Sequence, residues 1–281
     1  MGMSQHVASP ASAASAALLD LARDIAVRAA EFALEARRAG VSVAATKSTP
    51  TDIVTAVDRD TETLIRSLIL EARPDDGIVG EEDATHIGTS GLDWVVDPID
   101  GTVNFLYDIP AWSVSIAVVE GAGGGAIGGT TIAGVVVNPV TGELFEATAG
   151  GGARLAGRDL AVNDAVPLSA ALVGTGFGYA AEHRREQAAV LLGLLPRIRD
   201  IRRAGSAALD LCAVAAGRID AYYERGLNAW DYSAGALIAR EAGARLGGPR
   251  GGHENSELLV AAAPGLYEEL ARALREAGVD A

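Results

Sequence analysis

A mixed α and β protein with its antiparallel strands first is what the sequence predicts. Three observations carry this: an amphipathic opening segment, a run of strands split by glycine turns, and a strand-helix alternation from about residue 165. In the opening segment Leu18, Leu21, Ile25, Ala29, Phe32 and Ala36 recur at helical spacing, with Arg and Glu between them and Gly40 just past the end. Residues 1–16, rich in Ala, Ser and Pro, are expected to be a disordered extension. Val41 to Asp58 holds Pro50 and several Ser and Thr residues and reads as a mobile loop or hairpin. A second helix is expected over about Asp60 to Ala72, burying Leu64, Ile65, Leu68 and Ile69.

Ser113 to Glu120, Thr131 to Val137 and Glu143 to Thr148 read as consecutive strands of an antiparallel meander. The run G-A-G-G-G-A-I-G-G between the first two lacks the Lys-Ser/Thr ending of a P-loop and reads as a surface hairpin. Later come strands at Leu172 to Thr175, Ile219 to Glu224 and Glu257 to Ala262. Helices are expected at Glu182 to Leu195, Ser206 to Ala216, Asp231 to Ala244 and Pro264 to Ala277. The chain thus divides into a half over 17–164 and a half over 165–281.

Composition narrows the function. With 281 residues and 49% hydrophobic content the chain can bury a substantial core. A net charge of −14 argues against nucleic acid as the main ligand and against anionic membranes. The single cysteine, Cys212, lies in the apolar stretch L-D-L-C-A-V-A-A and supports neither a disulfide framework nor a Cys-rich zinc site. Nowhere do 18 apolar residues run together, and the expected location is the cytoplasm. His6, His86, His183 and His253 fall outside every motif and are expected to be exposed.

The most informative segment is Asp93 to Phe105, D-W-V-V-D-P-I-D-G-T-V-N-F. Trp94, Val95 and Val96 read as a buried strand, and Pro98 cannot donate to its ladder, so a turn is expected at Asp97. Asp100 follows, with the Ile99 carbonyl as a third hard oxygen between the two carboxylates. Two carboxylates about 4 Å apart repel by roughly 4 kcal/mol at an effective dielectric near 20, and a cation reverses the sign. Oxygen ligands without nearby His or Cys suit magnesium, manganese or calcium better than zinc. Gly101 and Thr102 then open a short turn or helix, to Leu106, whose amides face an anion.

This string resembles the signature of the inositol monophosphatase family of magnesium-dependent, lithium-sensitive phosphatases, W-x-x-D-P-x-D-G-T-x-N-F. Three more of its motifs occur in order: Lys47 to Asp58 (K-S-T-P-T-D-I-V-T-A-V-D), Gly80 to Glu82 (G-E-E) and Trp230 to Gly235 (W-D-Y-S-A-G). The similarity covers roughly residues 18–275 and looks most like the bacterial SuhB-type inositol-1-phosphatases. It implies an α+β fold, a layered α-β-α-β-α sandwich with an antiparallel-rich N-terminal half that carries the metal motifs. It further implies that the C-terminal half completes the site and that the protein is a homodimer.

The resemblance also implies roles. One cation is held by Glu81, Asp97 and the Ile99 carbonyl, a second by Asp97, Asp100 and Asp231, and a looser third lies near Glu81. The cofactor is Mg2+, two or three per site, with Mn2+ as an alternative. Glu82 matches a second acidic residue near the site, although adjacent strand residues face opposite ways and only one of the pair can be a full ligand. Asp231 could instead be a helix cap; the metal role is favoured. Thr102, bonded to Asp58, matches the threonine that orients the attacking water. The catalytic set is therefore Glu81, Thr102 and Asp58. Substrate contacts fall to Asp100, Gly101, Thr102, the Gly205-Ser206-Ala207 turn, Glu224 and Asp231, with Ser206 standing where many relatives have Thr. Lys47 lies in a loop that can approach the metals, and Arg202 and Arg203 precede the Gly205 turn.

The implied reaction is hydrolysis of myo-inositol 1-phosphate or a similar small polyol phosphate. Fructose 1,6-bisphosphate, histidinol phosphate and 3'-phosphoadenosine 5'-phosphate are alternatives within the class. A noncatalytic, transcription-associated protein on the same fold is the alternative from another class; it predicts missing ligands or a basic face, and neither is present.

Overall fold

The computed structural model describes residues 10–40, 43–46, 53–122, 128–164 and 166–279. In chain order the elements are α1 (Pro10–Ala39), β1 (Val43–Thr46), β2 (Ile53–Thr55), α2 (Ala56–Ala72), β3 (Gly77–Gly80), β4 (Leu92–Asp100), α3 (Thr102–Tyr107) and β5 (Ser113–Glu120). They continue through β6 (Thr130–Asn138), β7 (Glu143–Thr148), β8 (Ala153–Leu155), β9 (Arg158–Asp159), β10 (Leu172–Thr175), α4 (Ala181–Leu194), β11 (Asp200–Arg202) and α5 (Ala207–Ala215). The last are β12 (Ala221–Glu224), α6 (Ala229–Glu241), β13 (Arg245–Gly247), β14 (Leu259–Ala262) and α7 (Pro264–Glu276).

The strands β3 to β9 form a seven-stranded sheet in sequence order; β3 and β4 pair in parallel and the remaining neighbours are antiparallel. A second, mixed sheet of five strands has the order β11-β10-β12-β14-β13. Strand periodicity sorts side chains between layers. Trp94 and Val96 of β4 pack with Ile25 and Ile69 of α1 and α2, whereas Val95 packs with Ala208 and Leu237 of α5 and α6. In the second sheet Tyr222 faces the α5 and α6 side, and Ala221 and Tyr223 face Leu266 and Leu270 of α7 and Val190 of α4. Five layers result: α1 and α2, the seven-stranded sheet, α5 and α6, the five-stranded sheet, then α4 and α7. The layered α-β-α-β-α sandwich implied by the sequence is the fold observed.

Local differences have physical reasons. α1 begins at Pro10, inside the segment expected to be a disordered extension, because Pro suits a first helical turn and the Ala-rich run after it favours helix. Residues 1–9, Lys47 and residues 123–127 in the middle of the glycine-rich run lie outside the described residues. Pro98 does not end β4: the strand runs to Asp100, with an irregularity in its pairing to β5 between Asp97 and Asp100 that accommodates the missing N–H. α2 starts at Ala56, four residues earlier than the periodicity placed it, so Asp58 sits in its first turn. β11 and β13, three residues each, are too short to show a period.

Candidate active site

The parallel pairing of β3 and β4 sets Gly80 beside Val96, so both strands leave the sheet at the same edge and deliver Glu81 and Asp97 there. Asp97 is buried, and its Oδ1 accepts the Ile99 amide at 3.0 Å. The Ile99 side chain anchors this corner in a small core with Phe105 and Trp112. Its carbonyl, 3.2 Å from the Thr102 hydroxyl, belongs to the same turn. Gly101, at φ +100°, makes the left-handed bend that joins β4 to α3, and a β-carbon there would come 3.1 Å from the carbonyls of Ala111 and Gly205.

Asp100 is buried against the start of α5. Its carboxylate accepts the Ser206 hydroxyl at 2.5 Å and the Ala208 and Ala207 amides at 2.8 and 3.2 Å. Burial pushes its pKa up to about 6, and those three donors and Arg203 offset part of the rise. Asp231, in the first turn of α6, accepts the Asn228 amide at 2.5 Å. Burial, with the charges of Glu81 and Asp100, raises its pKa well above the usual carboxylate range.

Asp97, Asp100 and Asp231 each turn an oxygen into one cluster, with all three oxygens within 4.8 Å of one another. Glu81 lines the same cavity as these three but does not belong to that tight set. The donors are all hard oxygens, and burial already disfavours ionisation of two of them. Such a set fits a divalent cation of the magnesium type.

Thr102 is buried above Asp58, with its Oγ1 3.2 Å from Asp58 Oδ1. Asp58 in turn accepts the Thr55 amide at 2.9 Å and the Thr55 hydroxyl. The structure therefore joins Thr102 and Asp58. Glu82 faces the other way: its side chain is 3% exposed, lies 3.9 Å from Arg59 of α2 and does not line the cavity, in keeping with the alternation expected of the Glu pair.

The cavity has a volume of about 740 Å³ and is also lined by Gly101, Thr102, Gly205, Ala207 and Glu224. The Tyr222 hydroxyl donates to Glu224, whose pKa is raised to about 7, chiefly by burial. Ser206 is 1% exposed and spends its hydroxyl on Asp100, so it reaches any substrate only through that carboxylate.

Sequence reasoning missed several residues. His183 is exposed as expected, yet it lines this cavity with Phe177, Tyr179 and Glu186, which the loop before α4 and its first turns bring to the rim. Of the arginine pair singled out before the Gly205 turn, Arg203 lines it too and Arg202 does not. Asp210 of α5, 4% exposed, has its pKa raised to about 8 by burial and then by Glu224 and Asp100. Only the i to i+4 spacing of Ser206 and Asp210 hinted that Asp210 shares a helix face with the site.

Fold and cluster together define a layered α-β-α-β-α scaffold with an acidic cavity between its seven-stranded and five-stranded sheets, suited to a cation and a small anion. The sequence model of the inositol monophosphatase family matches residues 15–278, and the chain belongs to that family of phosphatases. It is 48% identical to the inositol-1-monophosphatase SuhB of Mycobacterium tuberculosis (strain H37Rv), over 92% of this chain and 94% of that protein. It is 42% identical to the Nus factor SuhB of Pasteurella multocida, over 78% and 81% of the two. Among solved structures, the extragenic suppressor protein SuhB of Bartonella henselae superposes with a TM-score of 0.85 at 33% identity, covering 92% of this chain and 99% of that one. Among the described residues no helix is long and apolar enough to cross a membrane.

Proposed function

We propose that the protein is a magnesium-dependent phosphomonoesterase that hydrolyses myo-inositol 1-phosphate, or a similar small polyol phosphate, to the alcohol and inorganic phosphate. It works in the cytoplasm as a homodimer. The observation that carries this reading is the convergence of Asp97, Asp100 and Asp231, from two distant segments, within 4.8 Å in a cavity shared with Glu81 and Thr102.

In this reading Glu81, Asp97 and the Ile99 carbonyl hold one cation, Asp97, Asp100 and Asp231 a second, and Glu81 borders a third. When bound, these ions supply charge neutralisation at the phosphoryl oxygens and a lowered pKa for water. The chain's own groups do the rest. Thr102 donates its proton toward Asp58, which leaves its oxygen to accept from the attacking water and aim it at phosphorus. The phosphate lies against Gly101 and Thr102. Asp231, Glu224 and the turn at Gly205 to Ala207 meet the substrate hydroxyls, and such a site rejects analogues without them.

Phosphate release from myo-inositol 1-phosphate, fructose 1,6-bisphosphate, histidinol phosphate and 3'-phosphoadenosine 5'-phosphate, with and without Mg2+ or Mn2+, tests the reading. Turnover should require the cation and favour the inositol ester, and lithium should inhibit it. Full cation-dependent turnover by Asp100→Asn would refute these residue roles. A noncatalytic role in transcription is the second reading, because several relatives are named Nus factors. The intact carboxylate cluster and the net charge of −14 favour catalysis.

A further inference from the structure

A carboxylate outside every sequence motif grips the turn that presents Glu81. Glu62, on α2, is fully buried. Its Oε2 accepts the Glu82 amide at 2.8 Å, and its Oε1 accepts the Asp83 amide at 3.1 Å. Arg66, one helical turn on, donates from Nε to Glu62 Oε1 at 2.8 Å and from Nη2 to the Asp83 carbonyl at 3.1 Å. On the other side of Glu81, a β-carbon at Gly80 would overlap the Glu62 carboxylate, so only glycine lets β3 close onto it. The backbone is therefore held on both flanks of Glu81. The Glu82 side chain is turned inward toward α2, and Glu81 is turned to the cavity.

We infer that Glu62 is a positioning residue for the cation site: through the amides of Glu82 and Asp83 it fixes where the Glu81 carboxylate points. The inference rests on the metal reading above. Asp58 and Glu62 are one turn apart on the buried face of α2, so a single helix anchors both Thr102 and the Glu81 turn. A buried carboxylate with two amides and a guanidinium is a charge-assisted network, and losing the charge loosens the loop it holds. The packing of α2 rests on other residues, Ile65, Leu68 and Ile69.

The test compares the wild type with Glu62→Gln and Gly80→Ala. Mn2+ binding, read by electron paramagnetic resonance, should weaken about tenfold in both, the size usual for partners that orient a metal ligand. Half-saturating Mg2+ for turnover should rise by the same factor, while KM at saturating cation moves by less than about twofold, because substrate contacts are untouched. In the metal-free protein the Glu82 and Asp83 amides should exchange faster in Glu62→Gln than in the wild type, a readout independent of activity. If either variant fails to fold, Arg66→Gln, which removes the counter-charge and the bond to the Asp83 carbonyl but keeps the Glu62 carboxylate on its two amides, should give a smaller shift of the same sign. A wild type that takes up no Mn2+ overturns the metal reading and this inference with it. A wild type that binds Mn2+, beside a folded Glu62→Gln that binds it equally well, overturns this inference alone.

Discussion

Replacing Asp210 by Asn should stabilise the metal-free protein at neutral pH and leave it nearly unchanged in acid. Asp210 is buried beneath the cavity, and its pKa is raised from 3.8 to about 8 by burial, then by the charges of Glu224 and Asp100, with Arg203 opposing. A carboxyl whose pKa rises on folding contributes stability that is complete below its unfolded pKa and is lost as pH climbs through the folded value. At pH 7 the unfolded chain carries the charge and the folded one keeps the proton, a gap of about 3 pH units. At about 1.36 kcal/mol per unit this amounts to roughly 4 kcal/mol at most. Asn copies the neutral acid in shape and cannot ionise, so this loss disappears. Urea unfolding of the EDTA-treated proteins, followed by far-UV circular dichroism from about pH 4 to pH 8, should show curves that coincide in acid and separate by about 2–4 kcal/mol near pH 7 to 8. Parallel pH profiles for the two proteins would refute the assignment of Asp210 as a buried, proton-holding acid.

Removing the Ser206 hydroxyl in Ser206→Ala deletes the 2.5 Å donor to Asp100 and leaves the two amides. Asp100 should then hold its proton to higher pH, and the acid limb of kcat/KM should move up by about one unit in a pH-rate profile. Gly101→Ala places a β-carbon at φ +100° and 3.1 Å from two carbonyls, which should cost about 1–3 kcal/mol in denaturant unfolding and depress turnover. Stripping cations with EDTA should abolish turnover and leave the far-UV spectrum intact, because backbone amides already satisfy part of the charge on Asp100 and Asp231. Loss of the folded spectrum would contradict that.

What was legible in the sequence is what the chain keeps local. Asp97, Asp100, Gly101 and Thr102 are spaced by one bend, so their common destination follows from a strand, a proline and a glycine. The amphipathic periods of α1 and α2 reported a buried face because only one side of each helix meets the sheet, whereas the β-branched runs of β5 and β6 are continuous because helices cover both faces of their sheet. The five-layer order was not readable from pattern, since the apolar runs of β12 and β14 fit a sheet covered on both faces equally well in several stackings. Glu62 was invisible for a different reason. On an amphipathic helix an acid beside Ile65 reads as solvent-facing, and only the parallel register of β3 and β4 brings two backbone amides over it. Asp210, on α5, and the rim at Phe177 to His183, in the loop after β10 and the start of α4, are likewise brought to the site only by tertiary packing.

Among the described residues β3 and β4 are the one parallel pair in an otherwise antiparallel sheet, and that exception determines where the chemistry sits. An antiparallel neighbour would send the residue after β3 to the opposite edge, and Glu81 could not meet Asp97. The arrangement gathers carboxylates at one point, and the helices answer with their N-termini. α2 has Asp58 in its first turn, α5 presents its first amides to Asp100, and α6 has Asp231 in its first turn. Helix starts carry partial positive charge, worth about 0.3–1 kcal/mol for each nearby anion and more when partly buried. Three of them lower the cost of assembling the acids before a cation arrives, without cancelling it, as the raised pKa of Asp100 and Asp231 attests. The cluster is thereby left folded but still short of positive charge, which is the condition under which a divalent ion and then a phosphate monoester bind with the largest gain.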